Sequence, residues 1–292
     1  MIKKFALNKI AVSTVCLVLL SMFYFLPTHE NINTSISITN KGKENIVYLL
    51  DNDNYVSKVI SYYDENSIED LIRKKIEVLT NGSEELNDFK PLIPKNTKIN
   101  SLKIEKDNIY IDFSNELLTI NKYIEEKMIE AIVYSLTEIN GINNIYISVE
   151  GKKLDDYDYP LTRNIGINKE YDITNLFDLN KITVFFSKKY DDVTYYVPIT
   201  KVTNDKSSKV EIIIEELKSS VNAQKNLNSN ITDDLKLIDY KYKDNEMTLT
   251  FNKQIDEHSK ILIDESINEN YDVNKINYEV KNNPWFLENM VL

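Results

Sequence analysis

The chain has 292 residues, of which 42% are hydrophobic and 28% charged, a globular composition with room for one large domain or two average ones. Its formal net charge of -11 argues against nucleic-acid binding, which requires a basic surface. Cys16 is the only cysteine, which excludes an internal disulfide. The only histidines are His29 and His258, so a zinc site built from Cys and His is not expected. We predict no metal and no cofactor.

The N-terminal region, residues 1–30, is predicted to be a transmembrane signal-anchor. Residues 10–26 form an apolar run, and Lys3, Lys4 and Lys9 precede it. Such a run approaches the length needed to cross a hydrocarbon core of ~30 Å. Positive charges on its N-terminal side place the rest of the chain outside the cytoplasm. We therefore expect a single-pass protein of the cell membrane, with a polar tether at residues 31–44.

Two other interpretations of this region are a cleaved signal peptide and a lipoprotein signal. A cleavage site needs small residues at alternate positions, whereas this run ends in Pro27 followed by polar residues. Cys16 lies in the middle of the run and follows Val15, where a lipid-attachment cysteine requires a small residue. The uncleaved anchor is the prediction, and the cleaved signal is its main alternative.

The first predicted domain, residues 45–154, begins with a β-hairpin. Apolar, β-forming runs at residues 46–50 and 56–63 flank a turn-forming cluster of Asp and Asn. A helix follows, for which Ser67 is a candidate N-cap. Apolar residues at helical spacing continue towards Gly82, which permits the left-handed conformation that ends a helix.

The second half of this domain repeats the order of hairpin and helix and then adds a strand. Residues 99–105 and 109–113 predict a hairpin whose second strand alternates apolar and polar residues, as a strand with one buried face does. An amphipathic helix follows and is predicted to stop at Gly141, and residues 145–149 form the last strand. The order β-β-α-β-β-α-β predicts an α+β fold in which helices cover a mainly antiparallel sheet.

The same order returns in a second predicted domain, residues 181–292. Ser208 and Glu211 form a capping box before its first helix. Its second helix, near residues 257–267, is shorter and more polar than that of the first domain. The last strands of the two domains align at four apolar positions: Val273, Ile276, Tyr278 and Val280 fall where Ile142, Ile145, Ile147 and Val149 fall. We predict a diverged second copy of the first domain.

Two further segments carry expectations of their own. Residues 155–180 are predicted to be a linker that packs on a domain, because several of its residues are apolar. The C-terminal tail contains the only tryptophan of the chain. Trp285 and Phe286 are expected to pack on the second domain, and the alternative is an exposed patch that binds a partner.

The sequence predicts no catalytic, cofactor-binding or metal-binding residue. Asp112, Ser114 and Glu116 are the most interesting polar group, and Asp112 and Ser114 share one strand face. Ser114 and Glu116 are better explained as residues that satisfy the start of the following loop. Pairs of adjacent acids do not face each other and are expected on the solvated surface. No sequence pattern gives His258 a Ser or Cys partner, so a nucleophilic triad is not supported.

Three segments resemble the GerMN domain, the sporulation and germination module of Gram-positive bacteria. They are IPKNTKI at residues 93–99, NIYIDFSNELL at 108–118 and LTEINGINNIYISVEGK at 136–152. The family often has Gly-Pro after the first helix, where this chain has Asn81-Gly82, but Gly still ends the helix. The resemblance covers the whole first domain, and the linker resembles the connector of tandem GerMN proteins.

The resemblance implies a non-enzymatic role in assembling proteins of the cell envelope, linked to sporulation or germination. The family is similar in fold to the ring-building motifs of envelope channels, so the expected partners are envelope proteins or further copies of this chain. The rival hypothesis is binding or hydrolysis of cell-wall peptidoglycan. It requires two carboxylates that converge across a sugar, and it predicts that Asp112, Glu116 and a tyrosine meet in one concave site.

Overall fold

The structure, a computed structural model, describes residues 42–82, 86–190, 193–219, 222 and 224–281. The predicted signal-anchor, the tether as far as residue 41 and the tail with Trp285 and Phe286 lie outside the described residues. From Lys43 onward the described residues form one compact unit. No helix in this described part of the chain is long and apolar enough to cross a membrane.

The first copy follows the predicted order of elements. They are β1 (Glu44–Leu50), β2 (Val56–Tyr62), α1 (Ile68–Asn81), β3 (Ile99–Glu105), β4 (Asn108–Phe113), α2 (Lys122–Thr137), β5 (Asn144–Val149) and a short β6 (Lys152–Lys153). The Ser67 side chain accepts a hydrogen bond from the Asp70 amide, which confirms the predicted N-cap of α1. Gly82 has a φ of 77° and ends this helix as expected. α2 ends at Thr137, four residues before Gly141.

The second copy repeats this order after a strand from the linker. Its elements are β7 (Glu170–Asp172), β8 (Asn180–Tyr190), β9 (Val193–Thr203), α3 (Lys209–Lys218), β10 (Leu237–Lys243), β11 (Glu246–Phe251), α4 (Glu257–Asn270) and β12 (Lys275–Val280). The Ser208 and Glu211 side chains form the predicted capping box of α3. α4 has 14 residues against 16 in α2, so the predicted shorter helix is present but extends to Asn270.

The strand pairing differs from the prediction of one mainly antiparallel sheet in each domain. β3 to β6 form a four-stranded sheet and β10 to β12 a three-stranded one, and the two remaining hairpins join a third sheet. β5 pairs in parallel with β4, and β12 in parallel with β11. The physical reason is that a helix connects each of these pairs, and a strand–helix–strand crossover returns the chain in its original direction.

The third sheet is shared by the two copies. It contains the hairpins β1–β2 and β8–β9, and β7 pairs in parallel with β9. β2 and β9 are equivalent strands of the two copies, and they pair antiparallel through Lys58 and Tyr196. Antiparallel pairing of equivalent strands is the arrangement that a twofold axis produces.

The two copies also agree in small structural details. A β-bulge interrupts the β3–β4 ladder and the β10–β11 ladder at the same place. Ser135 Oγ of α2 accepts a hydrogen bond of 2.9 Å from the Tyr48 amide on the edge of β1. Ser266 Oγ of α4 accepts one of 2.9 Å from the Phe185 amide on the edge of β8. A buried amide without a partner is energetically costly. In each copy, a serine hydroxyl of the second helix supplies the partner for one such amide at the edge of the first strand.

The linker packs on the folded unit in part. Leu161 and Ile167 are fully buried, as expected for a packed linker. Leu176 and Phe177, by contrast, are each 78% exposed. The loop that carries them is held by Asn204, which accepts a hydrogen bond from the Thr174 amide and donates one to the Phe177 carbonyl.

Lys75 of α1 completes the edge of β1. Its side chain is buried, and its Nζ donates a hydrogen bond to the Ile46 carbonyl. Burial lowers the pKa of Lys75 to about 8, although the charge of Glu138 acts in the opposite direction. The protonated form of Lys75 is therefore less favoured in the folded chain than in the unfolded chain.

This burial predicts a pH dependence of stability. Between about pH 7.5 and about pH 9.5, the free energy of unfolding of the wild type should rise by up to about 2 kcal/mol relative to K75M. Above about pH 8 the folded state has lost the Lys75 proton while the unfolded state still binds it, so rising pH favours folding. Urea unfolding at both pH values measures the effect.

The control is K74M, because Lys74 lies on the same helix with a side chain 33% exposed. We expect K74M to follow the wild type at both pH values. An equal difference between the wild type and K75M at both pH values would contradict the prediction.

Candidate functional site: the junction between the two copies

The most concentrated polar contacts lie at the junction between the copies, where Arg163 of the linker is held by both. Its Nε and Nη2 donate to the two carboxylate oxygens of Glu269 on α4, at 2.9 and 2.6 Å. Its Nη1 donates to Glu138 at 3.3 Å, and its Nη2 to the Tyr48 hydroxyl at 3.2 Å. The guanidinium also lies 4.2 Å from the Tyr134 ring centroid. The planar fork of arginine suits such two-point contacts.

The two glutamates that hold Arg163 occupy equivalent positions of the repeat. Glu138 precedes Ile145 of β5 by the same interval as Glu269 precedes Ile276 of β12. The Arg163 guanidinium, which belongs to the linker, therefore lies between two equivalent carboxylates, one from each copy. Replacing either glutamate would leave the arrangement one-sided, because a partly buried guanidinium would lose half of its neutralising charge.

Asn168 connects the hairpins of the two copies where their backbones do not pair. Its side-chain amide donates to the Val56 and Pro198 carbonyls, both at 2.8 Å, and its Oδ1 accepts from the Val56 amide at 2.9 Å. Asn168 has a φ of 46°, which asparagine tolerates better than most residues. Its own amide donates to Glu130 at 3.0 Å. Asn168 therefore takes the place of a ladder pair between β2 and β9.

Glu130, which receives the Asn168 amide, is itself a buried carboxylate. It lies on α2 and is 2% exposed. Burial raises its pKa, and the Lys169 ammonium at 3.1 Å opposes that rise. Asn168 and Lys169 together give this carboxylate two linker partners, so the linker is fixed to α2 as well as to the shared sheet.

Two further lysines form ion pairs across the junction. Lys188, at the far end of β8, lies 3.1 Å from Asp51 in the β1–β2 turn and also contacts Asp53. Both Lys188 and Asp51 are buried. Lys58 of β2 lies 2.6 Å from Glu265 of α4. Removing one member of a buried pair leaves an uncompensated charge, so these contacts favour one relative orientation of the copies.

The predicted polar group at the end of β4 is not a convergent site. Asp112 accepts hydrogen bonds from Ser148 Oγ at 2.5 Å, the Gly151 amide at 2.8 Å and Asn100 at 3.1 Å. Burial raises its pKa, but these three donors outweigh it and hold the pKa of Asp112 below its usual value. Asp112 therefore fixes the turn after β5.

Glu116 and Ser114 contact each other at the start of the short 3-10 helix Asn115–Thr119. The hydrogen bond from Ser114 lowers the pKa of Glu116. Ser114 also accepts a hydrogen bond from the Lys98 amide at 2.9 Å, and its side chain makes no capping hydrogen bond to the 3-10 helix. The prediction that Ser114 satisfies the start of the following loop is therefore wrong, because its hydroxyl accepts from the segment before β3 instead. The Glu116 and Asp112 carboxylates thus have different hydrogen-bond partners.

The cavity beside this helix does not unite the two acids. It has a volume of about 780 Å³ and lies between the 3-10 helix, the start of α2 and the turn after β5. Its carboxylates are Glu125, Glu150, Asp155 and Asp156, and its lining contains no aromatic side chain. This cavity therefore does not supply the concave site with Asp112, Glu116 and a tyrosine that the glycan hypothesis predicts.

Tyrosines do cluster on the outer face of the four-stranded sheet formed by β3 to β6. The rings of Tyr110 and Tyr146 stack with centroids 4.5 Å apart, and Tyr159 follows at 6.1 Å. Lys153 lies over the Tyr159 ring. Because these ring faces contact one another, the stacked faces are not open to a sugar.

His258 has a serine partner that the sequence did not indicate. Its Nε2 lies 2.9 Å from Ser187 Oγ, and Ser187 Oγ donates to the Asn228 carbonyl at 3.0 Å. A hydroxyl has one proton, so the imidazole is the donor to Ser187 here. The pair therefore lacks the arrangement in which histidine accepts a proton from an activated serine.

Within the described ranges, no three His, Cys, Asp or Glu side chains are positioned to hold a metal ion together. Of the acid pairs that are described, Asp155-Asp156 and Asp233-Asp234 are exposed, as predicted, whereas Glu125 and Glu216 are half-buried. Glu216 forms an ion pair with Lys201 at 3.1 Å. The pairs Glu84-Glu85 and Asp191-Asp192 fall at least partly outside the described residues.

These observations define a tandem α+β protein in which two copies of one unit share a sheet and are fixed by a polar junction. The family described as "Germane: Sporulation and spore germination" matches residues 46–155. A protein of Bacillus subtilis (strain 168) described as spore germination protein GerM is 30% identical over 241 residues. The match includes 76% of this chain and 65% of that protein, so this chain spans just under two thirds of its relative.

A solved structure is similar over both copies. It contains the tandem GerMN domains of the sporulation protein GerM from Bacillus subtilis, with a TM-score of 0.75 and 26% identity. The similarity covers 83% of this chain and 92% of that one. The chain is therefore a GerMN-domain protein with two GerMN domains in tandem, which confirms the resemblance found in the sequence.

Proposed function

We propose that this chain is a membrane-anchored, extracytoplasmic envelope protein that acts as a scaffold in an assembly linked to sporulation or germination, and that it is not an enzyme. Its partners are envelope proteins or further copies of itself. The observation that carries the proposal is the junction, in which Arg163, Asn168 and Lys188 hold the two copies in one orientation. A scaffold requires fixed binding faces, and a fixed junction supplies them.

The relatives support the setting of this role. The protein of Bacillus subtilis that is 30% identical is named a spore germination protein, and the similar solved structure is that of a sporulation protein. The predicted anchor at residues 1–30, with its lysines on the N-terminal side, supports a location on the outer face of the cytoplasmic membrane.

The test is crosslinking of the full chain in sporulating cells. A photo-crosslinking residue at Lys103 on β3 or Tyr242 on β10, both exposed, samples one outer sheet of each copy. We expect adducts with envelope proteins or with a second copy of the chain. Failure of both positions to give any protein adduct, together with normal sporulation of a deletion strain, would refute the scaffold role.

Two separate measurements test the anchor and the non-enzymatic role. Mass spectrometry of the mature protein should find residues 10–26 retained, and a chain that starts beyond Pro27 would overturn the anchor. Incubation with purified peptidoglycan should release no soluble fragments. Retention on peptidoglycan would favour the glycan-binding alternative, and release of fragments would favour hydrolysis.

A further inference from the structure

The outer edge of β12 in the second copy differs from the equivalent edge in the first. In the first copy the edge of β5 is covered by the residues that follow it. Val149 pairs with Lys152 in β6, and Ile145 and Leu161 exchange two backbone hydrogen bonds of 2.9 Å. Tyr159 adds a hydrogen bond from its hydroxyl to the Ile147 carbonyl at 2.8 Å. The first copy thus has a complete outer edge.

Among the described residues, β12 pairs with β11 alone. Its apolar side chains are correspondingly more exposed than those of β5. Ile145, Ile147 and Val149 are all buried, and Val149 is 4% exposed. Their equivalents Ile276 and Tyr278 are half-buried, and Val280 is 45% exposed. An edge with open hydrogen-bonding groups and apolar side chains is a site for an added segment.

The residue that follows β5 and the residue that follows β12 make the same backbone hydrogen bond. The Glu150 amide donates to the Phe113 carbonyl at 3.0 Å, and the Lys281 amide donates to the Phe251 carbonyl at 2.9 Å. Glu150 and Lys281 are equivalent residues, as are Phe113 and Phe251. At Lys281, the last described residue of the second copy, the backbone therefore continues in the same direction as it does at Glu150 in the first copy.

The following sequence also fits the uncovered edge. In the first copy the covering residues Leu154, Tyr159 and Leu161 are packed against the core. At the same intervals after β12 the sequence has three apolar residues: Trp285, Met290 and Leu292. Gly151, which has a φ of 75° in the turn, corresponds to Asn282, and asparagine is among the non-glycine residues that tolerate positive φ.

From this correspondence we propose that the outer edge of β12 binds the chain's own residues 282–292, which lie outside the described residues, in the manner in which residues 151–161 cover β5. The occupant is a segment of the same chain, and its anchors are Trp285, Met290 and Leu292. This inference does not depend on the scaffold role. It assigns the edge of β12 to the chain itself and leaves β3 and β10 as the exposed edges.

The single tryptophan makes the test direct. In the purified full chain, we expect Trp285 emission at shorter wavelength than in the urea-unfolded chain, with protection from acrylamide. The V280D substitution places a charge on the proposed site and should move the emission to the unfolded value. The matched control is I238D, because Ile238 is 42% exposed on β10 at the other edge of the same sheet. I238D should leave the emission unchanged.

Other outcomes would overturn the proposal. Emission at the unfolded value in the wild type, or a blue-shifted emission that V280D leaves unchanged, would place Trp285 elsewhere. A blue shift that appears only with dimer formation would assign the edge to the tail of a second copy. Hydrogen exchange needs no variant: the Ile276 amide should be protected like the Ile145 amide, and exchange at the unstructured rate would overturn the proposal.

Discussion

Replacing Arg163 with alanine is expected to lower the free energy of unfolding by about 3 kcal/mol, which is the cost of removing one partner from a partly buried ion-pair cluster. Glu138 and Glu269 would be left without their shared cation, and the Tyr48 hydroxyl would lose a donor. Urea unfolding of the full chain measures the change. R163K should recover less than half of the loss, because an ammonium group cannot make the two-point contact with Glu269.

The chain contains its own control for this experiment. Arg73, the other arginine of the chain, forms an exposed pair with Glu69 one turn away on α1, with a side chain 45% exposed. R73A should change stability by less than about 0.5 kcal/mol. Equal effects of R163A and R73A would show that the junction contact contributes no more than a surface pair and would remove the main support for a fixed orientation.

Replacing Asn168 with alanine is expected to cost about 4 kcal/mol. The Val56 amide, the Val56 carbonyl and the Pro198 carbonyl would each lose a buried partner, at about 1 kcal/mol each. Alanine at a φ of 46° adds roughly 1 kcal/mol of backbone strain. The loss should appear as a lower midpoint in urea unfolding, monitored by far-UV circular dichroism.

N230A separates these contributions. Asn230 is exposed and has a φ of 58°, so alanine there carries the backbone strain without the loss of the inter-copy hydrogen bonds. We expect a loss of roughly 1 kcal/mol for N230A. If N168A costs no more than N230A, the side-chain amide does not connect the two hairpins energetically.

Much of the fold follows from local sequence patterns. Ser67 and Ser208 mark helix starts, Gly82 marks a helix end, and alternation from Ile109 to Phe113 marks a half-buried strand, because each depends on residues a few positions apart. The repeat was also predictable, since the apolar positions of β5 and β12 align. The parallel pairing of these strands was predictable from the intervening helices but was missed.

The junction was not predictable in the same way. Arg163 and Glu269 are 106 residues apart, and Asn168 and Val56 are 112 apart, so no local spacing relates them. Two signals were nevertheless present. Arginine is rare in this chain, and Glu138 and Glu269 align when the two copies are superimposed by sequence. Ser187 and His258 gave no such signal, because their contact depends on how α4 packs on β8.

The antiparallel pairing of β2 with β9 limits which surfaces are available for contacts with further units. A contact between equivalent strands about a twofold axis is self-complementary, so it joins two units and then stops. In this chain both halves of the contact are occupied within one polypeptide. A third unit has no free contact of this kind to join, and growth must use a different surface.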